Sequence, residues 1–167
     1  MNIIDELTNS KKESKNKVSN LDFILFAVNQ TIKALEFGFT LNECRRNLNT
    51  ALHQYWQNKT MNRHNTNHRH LIKKSKNAII AEYNFEKTEV EHAVPLKIIV
   101  DELLKLDPLT SKNIEKLLIN LYRVCIVSKS EHEKLSVAKL RSKMPDDWDR
   151  KDPYARYKKV GIECDER

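Results

Sequence analysis

The most restrictive feature of this chain is a pair of short segments in which a predicted strand leads into a predicted helix. Residues 88–94 predict a strand that contains His92, and Pro95 suits the first position of the helix after it. Residues 122–127 alternate and are rich in β-branched side chains, which also predicts a strand. If the two strands pair and pack on the second helix, the histidines of both segments come to one place.

The start of the second helix is predicted by a capping box. Ser130 and Glu133 have the spacing at which a hydroxyl and an acidic side chain each satisfy a backbone N–H group of the first turn. The helix is therefore expected to open there and to run to about Leu140. This start places His132 in the first helical turn, directly after the strand.

Apolar residues at helical spacing, together with capping residues, predict helices over most of the remaining chain. The expected helices cover residues 21–37, 41–59, 71–83, 96–106 and 111–120, with a short one near 153–159. Residues 1–19 are rich in Lys, Ser, Asn and Glu, which predicts a flexible N-terminal segment. We expect an α+β fold, a mostly helical single domain with a small motif of two strands and one helix. Residues 20–87 would be its helical region, and residues 88–167 would hold the motif, a helical insertion at 96–121 and a C-terminal wrap.

Composition limits the class of protein. The 167 residues suffice for one domain with a core, and only 2 Gly and 4 Pro argue against a loop-rich all-β fold. No apolar stretch approaches the length of a membrane span, and the N-terminus lacks the apolar core of a signal peptide. Cys44, Cys125 and Cys164 are odd in number and form no CxxC pair, so neither a disulfide framework nor a zinc site is expected. We therefore expect reduced cysteines and a cytoplasmic protein.

Positive charge is concentrated in the middle of the chain. Lys and Arg number 30 against 23 Asp and Glu, a formal net charge of +7. A loop over residues 59–76 has no acidic residue and carries the candidate nucleic-acid contacts Arg63, Arg69, Lys73, Lys74 and Lys76. Phosphate binding and a merely solvated loop are both compatible with this segment. Its three histidines, His64, His68 and His70, lack the framework of a metal site. Lys129, beside the second strand, is a further candidate contact.

Two stretches resemble the motifs of a known enzyme family. Residues 91–95, Glu-His-Ala-Val-Pro, are similar to the first motif of the HNH (ββα-metal) endonucleases: an acidic residue, His, one further residue, Val and Pro. Residues 124–132 resemble the last motif of that family. The resemblance covers roughly residues 88–140 and implies that the motif of two strands and one helix is ββα-metal-like.

The resemblance implies roles for individual residues. His92 would be the general base that takes a proton from the attacking water, and Glu91 and His132 would bind one divalent metal ion, Mg²⁺, Mn²⁺, Ni²⁺ or Zn²⁺. The implied substrate is DNA, with RNA as an alternative because nothing in the sequence distinguishes the sugar. Family members also have an Asn or His shortly before the last His. Asn120 lies somewhat early for this position, and Arg123 has the more natural register.

Other functions are compatible with the same residues. Glu91 and His92 could be a surface pair at a strand end, and His132 an ordinary polar residue in a first helical turn. A non-catalytic nucleic-acid-binding or regulatory protein would have the same basic loop, and a structural interaction module could carry the charge incidentally. Metal-dependent hydrolysis of DNA is the function that the two motifs favour.

Overall fold

The computed structural model describes residues 19–60, 72–81 and 86–164. These residues form a mostly helical α+β fold with one small sheet, as expected. Its elements in chain order are α1 (Asn20–Glu36), α2 (Leu41–Thr60), β1 (Lys73–Lys74), α3 (Lys76–Ile80), β2 (Thr88–His92), α4 (Leu96–Leu103), α5 (Ser111–Leu121), β3 (Val124–Ser128), α6 (Lys129–Val137) and α7 (Ala155–Lys159). No helix among them is both long and apolar enough to cross a membrane.

The two N-terminal helices form a hairpin that buries one apolar side of each. Ser19 caps α1 by accepting a hydrogen bond from the Asp22 N–H at 3.1 Å. Gly38, at φ 94°, follows the helix end, where the left-handed backbone favours glycine. Both helices contribute to the larger apolar core, which they share with α4 and α5.

The sheet has three strands where the sequence analysis expected two. β3 is central, antiparallel to β2 and parallel to β1. Lys73 and Lys74 were expected inside a helix over residues 71–83, but they pair with Cys125 and Ile126. The helix expected there is therefore shorter and begins only after Ser75, whose side chain caps α3.

The two faces of the sheet carry different cores, because side chains alternate along each strand. On one face, Val124 and Ile126 belong to the larger core. On the other face, Cys125 and Val127 belong to a smaller core formed with α6, α7 and the C-terminal wrap. Within β2, Glu91 pairs in register with Cys125, and His92 pairs with Val124. The two candidate residues of the first motif therefore leave the strand on opposite faces.

The helix after β3 begins two residues earlier than expected. Its cap is Ser128 rather than Ser130, and Glu131 rather than Glu133 completes the capping box. The Glu131 N–H donates to Ser128 Oγ at 3.2 Å, and the Ser128 N–H donates to Glu131 Oε2 at 2.8 Å. His132 nevertheless stays in the first turn of α6, which packs against β2 and β3.

The cysteines also differ from the expectation that all three are reduced. Cys125 and Cys164 form a disulfide, whereas Cys44 is free. The partners are 39 residues apart in sequence, so their spacing gave no sign of the pairing. Cys164 reaches Cys125 because its backbone pairs with Ser75 next to β1. The bond joins the central strand to the end of the C-terminal wrap.

Candidate functional site

Glu91 and His132 meet on one face of the sheet, but His92, which the sequence analysis expected beside His132, lies on the opposite face. The imidazole Nδ1 of His132 lies 2.9 Å from Glu91 Oε2. The side chains are 22% and 15% exposed, so both are largely covered but reachable by solvent. The contact exists because α6 packs against β2, so that His132 in its first turn reaches Glu91.

The other oxygen of Glu91 is held by an arginine from the C-terminal wrap. Arg156, in α7, is fully buried, and its Nη2 donates to Glu91 Oε1 at 2.7 Å. The same nitrogen donates to the His92 carbonyl, and Nε donates to the Ala93 carbonyl at 2.8 Å. The buried charge of the guanidinium is therefore paired with one carboxylate. The hydrogen bonds of the same group hold the end of β2 in place.

His92 packs on the opposite face of β2 against Tyr122. Its Nε2 lies 3.4 Å from the Tyr122 hydroxyl, and the rings meet edge to face with centroids 5.4 Å apart. Burial lowers the pKa of His92; nearby Arg156 and His53 add to the lowering, and only Glu91 opposes it. The ring is therefore mostly neutral at neutral pH, as a general base must be.

The first turn of α6 is held in place by a buried carboxylate next to His132. Glu131 is 1% exposed and accepts hydrogen bonds from Ser75 Oγ at 2.5 Å and from Asn77 Nδ2 at 3.0 Å. Together with the capping box at Ser128, these contacts satisfy both carboxylate oxygens of Glu131. Glu131 is thus committed to structure, and it ties the helix of His132 to β1 and α3.

The remaining candidates of the sequence analysis lie in several places. Asn120 is exposed at the end of α5, and Arg123 is half-buried, with its carbonyl accepting from the Ala93 N–H at 2.8 Å. Tyr122, which stands between them in sequence, is the residue whose side chain contacts His92. Lys129 opens α6 beside Lys87, at the far end of the strand pair from His92.

The basic segment is only partly within the described residues. Lys73 and Lys74 are half-buried in β1, and Lys76, at the start of α3, forms an ion pair with Glu163. Arg63 and Arg69 lie outside the described residues, as do His64, His68 and His70. Thus three of the five basic candidates lie on the edge strand β1 or directly after it, and Lys73 is level with Glu91 across β3, because both pair with Cys125.

Two residues that sequence reasoning missed complete the site. Arg156 is 65 residues from Glu91 in sequence and stands in a run of cations that resembles a solvated surface. Tyr122 is 30 residues from His92 and was taken as the start of the second strand. No local pattern marks either contact, because each depends on how distant elements pack.

The donor pair of Glu91 and His132 suits a divalent cation. Two ligands at right angles around an ion, with bonds of about 2.1 Å, are about 3.0 Å apart. The observed 2.9 Å between Oε2 and Nδ1 is close to that separation, but it is also the ordinary length of the hydrogen bond that joins the two atoms in this structure. In the part of the chain that the structure describes, no cluster of three or more His, Cys, Asp or Glu side chains could hold a metal. An ion at this pair would therefore take its further ligands from water and substrate, which is how Mg²⁺ is often held.

No protein-family model, curated protein or solved structure matches this chain. The resemblance to HNH endonucleases therefore rests on the two motifs within residues 88–140.

Proposed function

We propose that this protein is a metal-dependent endonuclease that hydrolyses phosphodiester bonds of DNA. The observation that carries the proposal is the approach of Glu91 Oε2 to His132 Nδ1 at 2.9 Å, beside a histidine in the same strand. A carboxylate and an imidazole that leave most coordination positions open suit a hydrolytic metal centre. The basic net charge of +7 favours a polyanionic substrate.

His92 is the general base of the proposed reaction. Its lowered pKa keeps the ring unprotonated at neutral pH, so that it can accept a proton from water. The Tyr122 hydroxyl beside Nε2 fixes the orientation of the ring, and burial raises the pKa of Tyr122, so the hydroxyl keeps its proton. For Nδ1 to accept the proton of the water, Nε2 would have to carry the ring hydrogen and donate it to the Tyr122 hydroxyl oxygen.

Glu91 and His132 are the proposed ligands of one divalent ion, Mg²⁺, Mn²⁺, Ni²⁺ or Zn²⁺. When bound, the ion supplies Lewis-acid stabilisation of the charge that develops on the phosphate and on the leaving oxygen. Arg156 holds Oε1 of Glu91 and leaves Oε2 facing His132, where the two groups would hold the ion. The structure contributes fixed donors, and the substrate phosphate contributes the remaining oxygens.

The proposed setting is cytoplasmic, where cellular reductants keep most thiols reduced. In that setting we expect the Cys125–Cys164 disulfide to form only on oxidation. DNA is the proposed substrate, and RNA is the alternative that the assay includes. The rival function is a nucleic-acid-binding or regulatory protein without turnover.

A nicking assay tests the proposal. Supercoiled plasmid, and in parallel single-stranded RNA, is incubated with the protein and Mg²⁺, Mn²⁺ or Ni²⁺, with EDTA as the control. We expect metal-dependent nicking that His92→Ala abolishes while DNA affinity stays nearly unchanged, because affinity comes mainly from phosphate contacts.

Matched variants separate the site from the strand that carries it. Glu89 lies on the same face of β2 as Glu91, two residues earlier, and is exposed. Glu89→Gln should therefore cleave like the unaltered protein, whereas His132→Ala should not cleave. Salt-sensitive DNA binding without nicking under any of these metals would select the rival function.

A further inference from the structure

Arg156 makes hydrogen bonds to the candidate site as well as to the C-terminal wrap. The guanidinium is 0% exposed. On the side of the wrap, Nη1 donates to the carbonyls of Leu140 at 2.8 Å and Arg141 at 3.0 Å. On the side of β2, the other nitrogens donate to the carbonyls of His92 and Ala93 and to Glu91 Oε1. One rigid, planar group thus joins the wrap to the end of the strand and to its carboxylate.

This arrangement determines which oxygen of Glu91 faces His132. Oε1 is occupied by Arg156 at 2.7 Å, so Oε2 is directed to His132 at 2.9 Å. Because both of its oxygens have a hydrogen-bond partner, the carboxylate has one favoured orientation before a cation binds. The planar fork of arginine fixes this orientation better than a single ammonium would, because several of its N–H groups are aimed at once.

Building on the proposed function, we propose that Arg156 is a positioning residue that presents Glu91 Oε2, as a one-oxygen ligand, to a divalent cation shared with His132. Arg156 is buried behind the carboxylate, so it acts through Glu91 and does not touch the substrate. Its positive charge offsets that of Glu91 and lowers the attraction of the site for a cation, so its benefit to binding lies in the orientation of Oε2. The ligand class that such a site takes is a divalent cation whose remaining oxygens come from a phosphodiester and water.

A double-mutant cycle with Mn²⁺ as the probe tests this role. Binding is measured by the loss of the electron paramagnetic resonance signal of free Mn²⁺, on the full chain and without substrate. The variants are Arg156→Lys, Glu91→Gln and the double variant, and thermal melting is recorded for each. Arg150→Lys is the matched control, because Arg150 lies in the same C-terminal wrap but pairs with Glu102 at the surface.

We expect Arg156→Lys to weaken Mn²⁺ binding by about tenfold or more, the usual effect of losing a group that orients a metal ligand. Arg150→Lys should bind like the unaltered chain. Glu91→Gln removes one of the two proposed ligands and should bind Mn²⁺ no better than the double variant. A purely structural role predicts that Arg156→Lys lowers the melting temperature while the folded variant keeps its Mn²⁺ affinity, and that result would overturn the inference.

A measurement on the unaltered protein covers the case in which Arg156→Lys does not fold. The side-chain N–H resonances of a buried arginine can be followed during a titration with Mg²⁺. We expect the Arg156 resonances to shift as the ion takes the place of the hydrogen bond between Glu91 and His132, and resonances that stay fixed at saturating Mg²⁺ would refute the role. A chain that binds neither Mn²⁺ nor Mg²⁺ refutes the proposed function itself. A chain that binds and cleaves, but whose affinity ignores Arg156, refutes only this inference.

Discussion

Removal of the Glu91 side chain should destabilise the whole fold as well as the candidate site. Glu91→Ala leaves the guanidinium of Arg156, which is fully buried, without its only carboxylate partner among the described contacts. For charges about 4 Å apart at an effective dielectric constant of about 20, the lost attraction is about 4 kcal/mol. Arg156 keeps the carbonyl acceptors of His92, Ala93 and Leu140, so the cost falls at the low end of the range for a broken buried pair, about 3 kcal/mol.

Thermal melting followed by circular dichroism measures this cost. For a chain of this size, about 3 kcal/mol corresponds to a decrease in Tm of about 6–12 °C. Glu89→Ala on the same strand is exposed and should change Tm by less than about 2 °C. Glu91→Gln keeps an oxygen for Arg156 and should lose only about 1 kcal/mol. If Glu91→Ala has the same Tm as Glu89→Ala, Glu91 does not stabilise the buried charge of Arg156, and the assigned role of Arg156 is wrong.

Three further predictions concern pH, the disulfide and the basic segment. The single-turnover cleavage rate should rise with pH and level off above an apparent pKa below 6.5. Burial, Arg156 and His53 lower the pKa of His92, and together they exceed the opposite effect of Glu91. A rate that still rises above pH 7.5 would contradict this. Cys164→Ser should lower the free energy of unfolding by about 4 kcal/mol in urea titrations under non-reducing conditions, since it opens a loop with a sequence separation of 39 residues, whereas Cys44→Ser should change it little. Neutralising Arg63 and Arg69 together should reduce the slope of log K against log salt by about 2 units, and an unchanged slope, equal to that of a Lys116→Gln control, would identify the segment as a solvated loop.

Local signals explain which parts of this structure the sequence predicts. The strands β2 and β3 and most helices lie where periodicity and caps placed them, because these signals act over a few residues. The error at the start of α6 is instructive. Ser128 with Glu131 and Ser130 with Glu133 both have the spacing of a capping box. The first pair forms the box because Glu131 is buried against Ser75 and Asn77, which no local pattern reveals.

The parts that the sequence did not predict all depend on distant packing. β1 has two residues, both lysines, and it forms a strand only because it pairs in parallel with β3. Arg156 and Cys164 come from the C-terminal wrap, whose path over the sheet is determined by the smaller core. The residues with proposed chemical roles could be named from their motifs, but the residues that contact them from distant elements could not.

The positions of Glu91 and His92 in β2 set a condition on the proposed mechanism. With the strand order β1–β3–β2, β2 is one of the two edge strands of the sheet that the described residues form. Glu91 and His92 are its last two residues, and their side chains leave the strand on opposite faces. The next two residues, Ala93 and Val94, are buried, and Arg156 donates to the carbonyls of His92 and Ala93, so the end of the strand is covered. For His92 to act on a phosphate held at Glu91, the phosphodiester would have to pass along the outer edge of β2, where no strand pairs with it among the described residues.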